Sequence, residues 1–248
     1  MKIRLGAGWN ADALEDTEVI VQMIAEAFEA VVEVDTELEV IVSTAPERAN
    51  PYALYARQGA AFEVQLTSDP SGLYWAQMTL QLAHELCHVY SNFSLSRGHK
   101  HKWLEESLCE AASIATLNKL GTEWHSSALS ARAPNYGSSL LEYVNTRRAS
   151  ARQIRFKSDF KLWLKANLSQ LERCSTQREL NNVVANYLYN KILSPEPSTW
   201  KAIRFLNTWD CHSNETFQDF GESWVGATVD QLQPATRRLL ELLGVDVP

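Results

Sequence analysis

The 248-residue chain is poor in cysteine: it has four (Cys87, Cys109, Cys174 and Cys211), with no Cys-x-x-Cys pair and no secreted-scaffold spacing. That pattern excludes a disulfide framework and is the one expected of reduced thiols in a cytoplasmic protein. No apolar run is long enough to span a bilayer, and the opening Met1–Gly6 has no apolar stretch behind its basic residues, so neither a membrane span nor a signal peptide is expected. A basic excess is missing too. The 23 Lys and Arg stand against 30 Asp and Glu, and a net charge of −7 gives no global pull toward nucleic acid or an anionic membrane. Internal repeats and low-complexity segments are lacking. What the chain does have is 45% hydrophobic residues and eight tryptophans, which argue against disorder and suffice for one large domain or two lobes.

Strand and helix periods alternate in the first half. Lys2–Leu5, Leu38–Ser43 and Phe62–Leu66 read as strands, the last with one buried and one polar face. Between the first two, Leu14, Val19, Ile20, Met23, Ile24, Ala27, Phe28 and Val31 recur at helical spacing from Ala11 to about Val32, with Asp12, Glu15, Asp16 and Glu18 favouring its start. The stretch around Asn50-Pro51 and Gly59 reads as loop. After the turn Ser68–Gly72 a helix carries Tyr74, Met78, Leu82, Leu86 and Val89 on one stripe; another runs from Trp103 to near Gly121. The remainder reads as helices at about 138–149, 156–171, 176–193, 198–207, 215–227 and 229–243.

The chemistry concentrates in His84-Glu85-Leu86-Cys87-His88. Two histidines at i and i+4 share a helix face and can reach one ion, and Glu85 points about 100° around the helix, placed to hold a water without ligating. Both histidines lie off the apolar stripe. Zinc requires a third protein ligand. A histidine at the metzincin spacing is excluded, because that position is Ser94. Gly98-His99, with His101 beyond it, fits an SprT-like Gly-His element superficially. Glu106, 106 − 88 = 18 residues after His88, is the favoured donor, with Glu110 (110 − 106 = 4) one turn later to accept the free ring N–H of a ligating histidine. Cys87 and Cys109 read as core.

His84–His88 followed by Trp103-Leu104-Glu105-Glu106-Ser107-Leu108-Cys109-Glu110 resembles the gluzincin zinc peptidases, the clan of thermolysin and aminopeptidase N, where a Trp-Leu-x-Glu motif supplies the third ligand. The resemblance covers about residues 60–120. It departs in three ways: a Gly-x-Met-Glu-Asn exopeptidase element is missing, Ser107 replaces the glycine after the ligand glutamate, and the chain is shorter. The likeness implies an α+β fold, with a zincin-like lobe over 1–121 (a small mixed sheet, an active-site helix and a ligand helix) and an all-helical lobe over 122–248 closing the cleft. It also implies Zn2+ on His84, His88 and Glu106, and hydrolysis of a peptide or protein substrate by a zinc-activated water with Glu85 as general base. Tyr136, in Ala133-Pro134-Asn135-Tyr136-Gly137, is a candidate oxyanion stabiliser, with Tyr143, Tyr187 and Tyr189 as alternatives, and Phe62–Leu66 is expected to border the cleft as an edge strand. No nucleic acid or membrane partner is expected, and the sequence does not speak to oligomeric state. Two other readings stand beside this one: a catalytically silent zincin scaffold with a binding or regulatory role, and an SprT-like protease using His99 or His101 as third ligand.

Overall fold

A computed structural model describes residues 1–34, 37–54, 59, 61–95, 98–209 and 215–247. It shows a mixed α+β protein with a small sheet and a predominance of helix. β1 (Lys2–Leu5) leads through a 3-10 turn into α1 (Leu14–Val32), whose Ile20, Val21, Ile24, Phe28 and Val32 are buried. β2 (Glu39–Thr44), β3 (Tyr52–Ala53) and β4 (Phe62–Leu66) complete the sheet in the order β1-β2-β4-β3. β1, β2 and β4 are parallel, and β3 is antiparallel to β4. Val40, Ile41, Val42, Phe62, Val64 and Leu66 are all buried, the near-continuous apolar pattern of a parallel sheet covered on both faces.

Two expectations for β4 are corrected. Its alternation suggested one exposed polar face, but Glu63 is buried and accepts from Ser43 Oγ at 3.2 Å and from Gln65 Nε2 at 3.1 Å. Side-chain partners let the polar positions go inside. Nor is β4 a free edge. It pairs with β2 from Phe62 to Leu66 and with β3 at Val64 and Gln65, and Leu54 N–H donates to the Glu63 carbonyl at 2.8 Å. Among the described residues the sheet's edges are β1 and, on the β4 side, β3, a strand too short to show a period in a stretch that reads as loop.

α2 (Trp75–Tyr90) and α3 (Lys102–Glu123) follow, then α4 (Tyr136–Ala149), α5 (Lys157–Arg173), α6 (Arg178–Leu188), α7 (Trp200–Ile203), α8 (Phe217–Ala227) and α9 (Gln233–Leu242). Two compact units can be distinguished, one of Met1–Val89 with Ala112–Arg147 and one of Tyr90–Ala111 with Arg148–Pro248; the boundaries fall inside α2, inside α3 and at the end of α4. In the first, α3 and α4 approach backbone to backbone: a Cβ on Gly137 would stand 2.8 Å from the Gly121 carbonyl oxygen and 2.7 Å from Trp124 Cβ. In the second, the Phe160 and Tyr187 rings stack with centroids 3.7 Å apart, and a capping box of Thr216 and Asp219 starts α8. Cys87, Cys109 and Cys174 are free thiols, and Cys211 lies outside the described residues. Among the described residues no helix is long and apolar enough to cross a membrane.

Candidate metal centre

α2 begins where the turn Asp69–Gly72 ends, closed by Gly72 N–H donating to Asp69 O at 2.9 Å with Gly72 at φ +66°. That positive φ suits glycine. Gln81 clamps the helix to the end of β4: its Oε1 accepts from Thr67 N–H and Ser68 Oγ, each at 3.0 Å, and its Nε2 donates to Thr67 Oγ1 at 2.8 Å. Met78, Leu82, Leu86 and Val89 are buried as the stripe requires, whereas Tyr74 precedes the helix and is exposed. With that stripe facing the core, His84 and His88 come out half-buried, their rings 4.9 Å apart edge to face, and Glu85 beside them is buried.

A candidate third donor stands on α3. One imidazole nitrogen each of His84 and His88 and the sulfur of Cys109 lie within 4.8 Å of one another. A tetrahedral zinc with Zn–N near 2.0 Å and Zn–S near 2.3 Å sets its ligand atoms roughly 3.3–3.6 Å apart, so small side-chain adjustments bring these three into range. Two imidazoles and a thiolate are a donor set that zinc accepts. The group could hold a metal ion. One hydrogen bond shows how α3 is rotated: Ser113 Oγ donates to the Leu80 carbonyl at 3.0 Å. Ser113 is 113 − 109 = 4 residues after Cys109, on the same helix face.

Glu106 is half-buried on the same helix and is not a member of this group. At 100° per residue it points about 60° to one side of Cys109, and Glu105 about 40° to the other. Glu110, also expected near the metal, is buried; with its amide nitrogen turned toward the carboxylate, Asn182 of α6 donates to Glu110 Oε1 at 3.3 Å. Cys109 is buried, as a core residue would be, yet its sulfur stands with the imidazoles. Its signal in the sequence was its place on the small-residue face of α3, one turn from Ser113.

Tyr136 opens α4, and its hydroxyl accepts from Ala76 N–H at 3.1 Å at the start of α2, with the ring edge-on to Trp75 at 4.9 Å. Burial raises its pKa, against the backbone hydrogen bonds from α2. Ala76 precedes His84 by eight residues, about 12 Å along the helix axis, so the structure does not bring the phenol together with the histidines.

His99 and His101 are also outside the group. His99 is buried against the rings of Trp209 and Phe220, and His101 against Phe217 and Phe220. His101 N–H donates to His99 Nδ1 at 3.2 Å, and His101 Nε2 lies 3.1 Å from the Glu215 carbonyl oxygen. Burial pushes the His99 pKa down to about 4, opposed mainly by the Asn207 side chain and the Glu105 charge. Burial also lowers that of His101, against the Glu215 carbonyl and Glu172.

No family model, no curated protein and no solved structure matches the chain. The functional reading therefore rests on the residues alone.

Proposed function

We propose that the protein is a zinc-dependent hydrolase acting on peptide bonds, with His84, His88 and Cys109 as protein ligands and Glu85 as general base. The observation that carries this reading is the group of two imidazoles and one sulfur on α2 and α3, with a buried carboxylate next in sequence to one of the histidines. Three protein donors leave a fourth position open, the arrangement of catalytic rather than structural zinc. When bound, zinc would supply Lewis acidity, lowering the pKa of a water and polarising the substrate carbonyl. Glu85 then takes the proton of the attacking water and delivers it to the leaving nitrogen. Glu106, the third ligand that the gluzincin motif implies, stays a second candidate for that position on the same helix.

Zinc content and hydrolysis of a mixed peptide library test the reading together. Glu85→Gln retains zinc and loses at least a hundredfold in activity, the scale on which general bases act. Cys109→Ser weakens zinc binding while Glu106→Gln leaves it near the wild-type value. Equal cleavage by wild type and Glu85→Gln sinks the mechanism; loss of zinc in Glu106→Gln with retention in Cys109→Ser returns the third position to the glutamate.

A further inference from the structure

Ser91, Glu105 and Asn207 make a buried polar node that the hydrolytic chemistry does not use. Their relative exposures are 0%, 5% and 3%. Ser91 Oγ donates to Glu105 Oε1 at 3.0 Å, and Asn207 Nδ2 donates both to Glu105 Oε2 at 3.1 Å and to the Ser91 carbonyl at 3.0 Å. Three directional bonds thus tie the residue just past α2 to the first turn of α3. A neighbouring bond, Asn92 Nδ2 to the Arg204 carbonyl at 2.7 Å, anchors the same junction to the turn that presents Asn207.

The node is placed tellingly with respect to the donor group. Ser91 lies 91 − 88 = 3 residues after His88, and Glu105 lies 109 − 105 = 4 residues before Cys109. Each is within one turn of a donor. An apolar trio of the same volume would fill this space without desolvating a carboxylate, so stability alone does not account for it. What a set of directional buried bonds supplies is a single register. A slip of α3 by one residue rotates it about 100° and carries the Cys109 sulfur away from the imidazoles.

We infer that Glu105, bridged by Asn207 and Ser91, is the positioning residue of the metal centre, fixing the rotation of the first turn of α3 and with it the direction of the Cys109 side chain. The inference rests on the metal reading above. Asn207 is over a hundred residues from Glu105 in sequence, so the turn after α7 serves the centre without touching it.

Chelator-competition titration with Zn2+, paired with the absorption spectrum of the Co2+-substituted protein, tests the inference. Both are run on the full chain at a temperature where circular dichroism shows every variant folded. Asn207→Ala and the milder Ser91→Ala weaken zinc binding, the first by roughly ten- to hundredfold, and both alter the thiolate-to-cobalt charge-transfer band. Glu105→Gln, which keeps the shape and one acceptor, falls between them and wild type. Variants that lose thermal stability but keep wild-type zinc affinity and an unchanged cobalt spectrum overturn the inference and leave the node a structural one. A wild-type protein that binds neither metal overturns the metal reading itself and this inference with it.

Discussion

At the scale of single residues, the acidic side of the stability profile belongs to His99. The His101 N–H donates to its Nδ1, which assigns the neutral ring's proton to Nε2. Burial among Trp209 and Phe220 disfavours a second proton, with Glu105 and Asn207 opposing and His101 and Lys102 reinforcing, so the folded pKa falls from 6.5 to about 4. Between those values the unfolded ring takes up a proton that the folded one refuses. Stability is therefore full above pH 6.5, falls as the pH drops toward 4, and stops falling on this account below it. The loss is on the order of 3 kcal/mol from His99, and His101, lowered in the same direction, adds to it. Urea midpoints between pH 7 and pH 4 check this. His99→Gln should flatten the wild-type slope, and identical slopes in the two proteins would remove His99 as the cause.

At the scale of elements, the close crossing of α3 and α4 depends on two glycines. Gly137→Ala would place a methyl group 2.8 Å from the Gly121 carbonyl oxygen and 2.7 Å from Trp124 Cβ, and neither backbone nor a buried indole yields easily. Overpacking of this kind costs roughly 1–3 kcal/mol; a urea midpoint equal to wild type would show that the helices separate freely. The elements that could be read in advance were those whose own period decides them: α1, β1, β2, β4, α2, α3, α4, α5 and α8 lie within a few residues of their expected places. Those decided by distant partners were not legible. The expected helix over 198–207 shrinks to α7, because Asn92 takes the Arg204 carbonyl and Asn207 turns to serve Ser91 and Glu105, none of which local spacing reveals. The centre divides the same way. His84, Glu85 and His88 share one helix and are legible from spacing, whereas the Cys109 sulfur beside the imidazoles depends on the rotation of α3, which local spacing does not reveal.

At the scale of the whole molecule, a bound metal is a folding term. His84 and Cys109 are 109 − 84 = 25 residues apart, so the unfolded chain would hold no assembled site and an ion held by this group would bind the native state almost alone. Zinc at a hundred times its dissociation constant then adds about 2.7 kcal/mol. For a chain of this size that raises the melting temperature by roughly 5–10 °C. Scanning calorimetry with and without a chelator measures the difference. The increment should disappear in Cys109→Ser, and it should persist in Glu85→Gln, which alters the proton carrier and none of the donors. If chelation leaves the wild-type transition where it was, while zinc content falls to zero, the donors are assembled by the fold without help from the ion. If Cys109→Ser retains the full increment, sulfur is not one of those donors.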